Sequence, residues 1–145
     1  MFIGEYSYTV DAKGRVVIPP VFRDNLKGRI YLVKGFERFL SVYDEHEWDI
    51  QQKSYAGLSE FGSNARNLKR LVFSGMSEVS PDKQGRIKIA PPLMDYSCIK
   101  KDVVIVGVDN HVEIWAVEEW KRFLDEYESN LGTLAEKLNG NTQDE

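Results

Sequence analysis

Polar and apolar positions along the chain follow one order of rhythms, and that order occurs twice. In "YSYTV" (6–10), Tyr6, Tyr8 and Val10 alternate with Ser7 and Thr9, the period of a half-buried strand. A polar turn, "DAKGR" (11–15), follows, and "RVVIPP" predicts a second strand whose prolines end the ladder. Pro20 suits the first position of a short helix through "VFRDNLK", with Gly28 as its stop. "IYLV" (30–33) and "FLSVY" (39–43) predict a hairpin around Gly35, and Asp44 with Glu47 signals the start of a helix carrying Trp48. A short basic helix is predicted from about Asn64. The strand, turn and strand then return around "DKQGR" (82–86), with "MDYS" after Pro91 and Pro92, and with "DVVIVGV" and "HVEIW" as a second hairpin. Trp120, Phe123, Leu124, Tyr127 and Leu131 recur at helical spacing, so a final helix is predicted through Leu131. Residues 132–145 read as a frayed tail.

The recurrence extends beyond the turns. An offset of 71 sets Phe2 on Phe73, Gly4 on Gly75, Asp11 on Asp82, Gly14 on Gly85, Arg15 on Arg86, Ile18 on Ile89 and Pro20 on Pro91. After one inserted residue the offset is 72, which sets Gly35 on Gly107, Tyr43 on Trp115, Glu47 on Glu119 and Trp48 on Trp120. Two copies are too few for a solenoid. The chain is therefore expected to form a single barrel domain over 1–131, from repeats at about 1–60 and 72–131 joined by the basic helical linker. Neither repeat can bury enough apolar surface alone, so the two are expected to interlock.

Composition changes this picture little, but the distribution of charge changes it more. With 145 residues, 42% hydrophobic and seven Tyr, seven Phe and three Trp, the chain has the makings of a folded core. No apolar run reaches the roughly 20 residues of a membrane span. The N-terminus lacks signal-peptide regions, and Cys98 is the lone cysteine, so a cytoplasmic protein is expected. The net charge of −4 argues against indiscriminate nucleic-acid binding. By block, however, residues 1–38 carry +3 (seven basic, four acidic) and 66–101 carry +5 (eight basic, three acidic). Residues 39–65 carry −4 (one basic, five acidic) and 102–145 carry −8 (three basic, eleven acidic). Each basic block holds one copy of the turn, so local fields outweigh the total.

In each turn Asp11 or Asp82 can bond the backbone ahead of it, while Gly14 or Gly85 takes a positive φ at little cost. One reading is that Arg15 and Arg86 close a hairpin and bond their own aspartates. The other is that a pseudo-twofold brings both arginines to one face, with Lys13, Lys83 and Gln84 at the tips. Arginine forks match guanine O6 and N7 in the major groove, and lysines suit phosphates. Paired aspartates from symmetric halves are also the device of aspartic proteases, but these head polar turns beside Lys13 or Lys83. No loop reads GxGxxG or GxxxxGK, His46 and His111 lack ligand-spaced partners, and no serine sits in a nucleophile elbow. Neither an enzyme, a metal nor a cofactor is expected. Trp48, Trp115 and Trp120 fall on faces suited to a core rather than to base stacking, while Phe36 and Phe39 could serve a core or a subunit contact.

"DAKGRVVIPPVFR", "RLVFSG" and "DKQGRIKIAPPL" followed by "GVDNHVEIW" resemble the bacterial MraZ family, within the AbrB-like swapped-hairpin barrel superfamily. The resemblance runs from Met1 to about Leu131. It implies an α+β fold, mostly β with short helices: a double-psi-type β-barrel from two pseudo-symmetric halves. It implies a nucleoid-associated transcriptional regulator that forms rings, octameric or dodecameric, and binds tandem G-rich promoter repeats of the division and cell-wall gene cluster. Arg15 and Arg86 then stand at DNA-contact positions, with Lys13, Lys83 and Gln84 beside them; double-stranded DNA is the partner, with no membrane and no small-molecule substrate. Met94 departs from the family, which often has arginine there, and Ala116 is a poor helix cap. The competing expectation is a ring-forming scaffold whose turns bind an acidic protein.

Overall fold

Residues 1–139 are described by the structure, a computed structural model. Eight strands and six α-helices follow in the order β1 (Glu5–Thr9), β2 (Arg15–Val17), α1 (Pro20–Arg23), β3 (Ile30–Lys34), β4 (Phe39–Asp44), α2 (Glu45–Ala56), α3 (Ser63–Gly75), β5 (Ser77–Val79), β6 (Arg86–Lys88), α4 (Pro91–Tyr96), β7 (Asp102–Val108), β8 (His111–Ala116), α5 (Val117–Tyr127) and α6 (Leu131–Asn139). The expected α+β character and the two interlocked halves are both present.

Six strands form an antiparallel sheet in the order β1-β7-β8-β4-β3-β5, and β2 pairs with β6 in a separate antiparallel ribbon. Exchanging the halves turns the sheet order into its own reverse. The pseudo-twofold passes between β4 and β8, where Ser41 faces Glu113, and through the ribbon, where Val16 faces Ile87. Each half lends its first strand to the other: β1 pairs with β7, and β5 with β3. The expected barrel is thus two ladders around one core.

Period-two alternation sorts the sheet's side chains. Leu32, Leu40, Val42, Ile105 and Ile114 point inward with Val16, Ile18, Ile87 and Ile89 of the ribbon region, and all are almost fully buried. Outward, Phe39, Val104, Val106 and Trp115 lie under Val117 and Trp120 of α5, and Val33 lies under Trp48 of α2 and Val72 of α3. The linker helix is thus a structural cover as well as a connection. Phe39 is core, stacked on Trp115 at 4.8 Å, whereas Phe36 is exposed.

Four local expectations change. Strand β1 is less buried than its alternation predicts, because it is a sheet edge; only Tyr8 is half-buried. Helix α1 stops at Arg23 instead of running toward Gly28. The C-terminal helix breaks at Glu128–Asn130, where a 3-10 turn intervenes and the Asn130 side chain donates to the Glu126 carbonyl. The tail expected over 132–145 begins as helix, through Asn139; the remainder lies outside the described residues. Asp44 caps α2 by accepting from the Glu47 N–H at 2.9 Å, as expected, while Ala116 offers α5 no side-chain cap.

Strand β7 carries a glycine where the N-terminal segment crosses it. A Cβ on Gly107 would collide with the backbone of Phe2 and Ile3, and the Gly107 N–H donates to the Gly4 carbonyl at 2.8 Å. We expect Gly107→Ala to destabilise the fold by about 1–3 kcal/mol in urea denaturation, as overpacking does. Gly132→Ala, with no atom near the added methyl, should cause no loss.

Candidate nucleic-acid interface

The two turns are built alike. Asp11 Oδ1 accepts the N–H groups of Lys13 and Arg15, both at 2.9 Å, and Asp82 Oδ1 accepts those of Gln84 and Arg86 at the same distance. Gly14 and Gly85 adopt φ of 79° and 77°. Those left-handed values bring the chain back on itself, so that Gly14 and Gly85 donate to the carbonyls of Asp11 and Asp82. Each aspartate then uses Oδ2 to hold the arginine of its own turn: Arg15 Nε lies 2.8 Å from Asp11, and Arg86 Nε 2.8 Å from Asp82.

The arginines do pair with their own aspartates, and they also remain available. Only Nε is engaged; the terminal Nη groups make no hydrogen bond within the described residues. The Arg15 side chain is 31% exposed and that of Arg86 26% exposed, so neither is buried beneath the surface. An Asp on Nε fixes the plane of the guanidinium and leaves the two-pronged end free.

Ribbon pairing decides where these ends point. Val16 and Ile87 face the core, so Arg15, Val17, Arg86 and Lys88 share the outward face. Arg15 lies opposite Lys88 and Arg86 opposite Val17, which makes the two arginines diagonal neighbours with roughly 7–8 Å between backbones. Lys13 and Gln84 occupy equivalent places, and Lys83 is equivalent to Ala12, so each exposed tip carries one lysine, set at a different position of the turn. The ribbon thus sets Arg15 and Arg86 on one outward face, with the exposed Lys13, Lys83 and Gln84 at its turn tips. Lys88 shares this face and is not among the residues singled out from the sequence. The signal was the strand period in "RIK", which puts Arg86 and Lys88 on one face.

Asp11 and Asp82 are held below the ordinary carboxylate range, first by the N–H of Arg15 or Arg86, then by that arginine's side chain and the N–H of Lys13 or Gln84. The aspartates do not face one another as a proton-sharing pair; each is committed to its own turn. Among the described residues no group of three His, Cys, Asp or Glu side chains is placed to hold a metal ion.

Comparison with known proteins agrees with this architecture. The MraZ protein family matches residues 1–71 and again 72–141. The boundary coincides with the repeat found in the sequence and assigns most of α3 to the first copy. The chain is 39% identical over 138 residues to the "Transcriptional regulator MraZ" of Natranaerobius thermophilus, covering 95% of this chain and 96% of that one. It is 40% identical over 138 residues to the proteins of that name from Carboxydothermus hydrogenoformans and Herpetosiphon aurantiacus, with 95% and 96% covered in both cases.

Because the folded state lowers both aspartate pKa values, their contribution to stability is complete above the unfolded value of about 3.9 and is lost as pH falls through the folded value. NMR titration of the side-chain carboxyls should give midpoints for Asp11 and Asp82 below that of a solvated aspartate. The amide signals of Arg15 and Arg86 should move with them.

Proposed function

The chain belongs to the MraZ family, and from that premise we propose that it is a transcriptional regulator that binds double-stranded DNA through the β2–β6 ribbon. The observation that carries the proposal is the pair of forked arginines from different halves on one outward face, each held by its Nε with its Nη end free. A two-stranded ribbon fits the major groove, where a fork of two N–H donors matches O6 and N7 of guanine. Lys13 and Lys83, exposed at the turn tips, suit flanking phosphates.

The preferred target in this reading is a set of tandem G-rich promoter repeats of the division and cell-wall gene cluster, and the working form is a nucleoid-associated ring of eight or twelve copies. Identical protomers in a ring present their ribbons with one sense along the circumference, which suits direct repeats. Repeats spaced near one helical turn, about 10 bp, would meet successive protomers on one side of the duplex. Each contact can then be weak, because binding of one protomer raises the effective concentration of the next. The net charge of −4 accords with this: affinity comes from aligned local contacts rather than a general positive field.

Arg15→Ala and Arg86→Ala should each weaken binding to a duplex of tandem G-rich repeats by about 1–3 kcal/mol for a lost bidentate contact. Assembly should be unchanged. Fluorescence anisotropy and gel filtration on the same samples check both. Parallel loss of assembly and binding would make the arginines structural.

A further inference from the structure

The pseudo-twofold relates the ends of the ribbon, yet they are not chemically alike. Arg86 has Val17 as its cross-strand partner, whereas Arg15 has Lys88, so the 11–15 end sets two cations in direct opposition. Like charges at opposed positions destabilise a strand pair. Valine at the equivalent place shows that the fold has no need of the lysine. Lys88 is exposed and forms no ion pair among the described residues; nor do Lys13 and Lys100.

The support beneath the turns differs as well. Arg23 donates from Nη1 to the Ile18 carbonyl at 3.0 Å, and its guanidinium occupies the space beside Gly85 that a Cβ there would need. Arg23 of α1 thus sits over the 82–86 turn as a steric clamp, its hydrogen bond going to Ile18 of its own half. The repeat equivalents of Arg23, Ile18 and Gly85 are Met94, Ile89 and Gly14. Methionine has no donor to give the Ile89 carbonyl. In place of a clamp there is a cleft of about 500 Å³ between Gly14, Ile89 and Met94, with Lys13, Lys88 and Lys100 on its walls. Asp11 is already held by Arg15, which leaves Asp95 as the cleft's other carboxylate against three lysines.

We infer that the 11–15 end is a phosphate anchor: Lys13, Lys88 and Lys100 hold a backbone phosphate of the DNA duplex, while the clamped 82–86 end presents Arg86 to the bases. The inference rests on the DNA-binding reading above and adds a direction to it. An ammonium bound to phosphate acts as a point charge, and that contact carries no base preference. The anchor therefore sets where each protomer sits and which way it faces. A symmetric ribbon would suit a palindrome, whereas unequal ends select one orientation along the duplex.

The test is anisotropy across a salt series with the full chain, using a duplex of two tandem G-rich repeats and a random duplex of equal length. Lys88→Val, which copies the other end, and Lys100→Ala should weaken binding to both duplexes by the same factor. Each should lower the magnitude of the salt slope by about 1. Arg86→Ala should instead reduce the ratio between the duplexes. Wild-type slopes in both lysine variants would overturn the anchor alone. So would a lysine variant that changes the ratio but not the slope, since that lysine would be reading bases. A wild-type chain that binds neither duplex would overturn the anchor together with the reading on which it rests.

Discussion

Strands β2 and β6 have three residues each, and a two-stranded ribbon of that length has little stability of its own in water. It persists because Val16 and Ile87 face each other across the pseudo-twofold with almost no exposure, and Ile18 and Ile89 extend the ladder by donating to Gly85 and Gly14. The partner in every one of these contacts belongs to the other half of the chain. The ribbon is thus the point at which the halves become one structure. Because its inward face is apolar and fully used, its outward face is free to carry arginine and lysine.

The two faces of the sheet are covered differently. Its inner face shares the core with the ribbon, and its outer face is covered by α2 and α3 over one half and α5 over the other. Helices α2 and α5 carry acid in their first turns, Glu45 and Glu47 in one and Glu118 and Glu119 in the other. Glu118 and Glu119 share a cleft with Asp95 and Lys100, so the acid of α5 reaches the segment that follows the ribbon. The cover is mixed in charge: α2 and α5 carry acid, and α3 carries Arg66, Lys69 and Arg70. With a screening length near 10 Å at ordinary salt, the ribbon's cations act largely on their own neighbourhood.

Duplication supplied a symmetric frame on which single residues have since diverged. The aspartate, glycine and arginine of the two turns keep the same hydrogen bonds to within 0.1 Å. Divergence is concentrated around them, in Val17 against Lys88, Arg23 against Met94, and Ala12 against Lys83. None of these pairs touches the central Val16–Ile87 contact, so the fold tolerates the change while the surface acquires a polarity.

The sequence by itself determined the repeat, both hairpins, the Asp44 cap and the aspartate–arginine turns, because each depends on residues a few positions apart. Period and turn chemistry act over that range. It also yielded the candidate arginines, since a motif written twice is visible without coordinates. Only the tertiary structure decided that β2 pairs with β6, that Arg15 and Arg86 become diagonal neighbours, and that Lys88 joins them. It also decided that Arg23 reaches Gly85, more than sixty residues away, and that Met94 leaves the matching space open. Those facts depend on which strand lies beside which. That choice is made by the burial of two apolar faces against each other, a property that no local stretch of sequence contains.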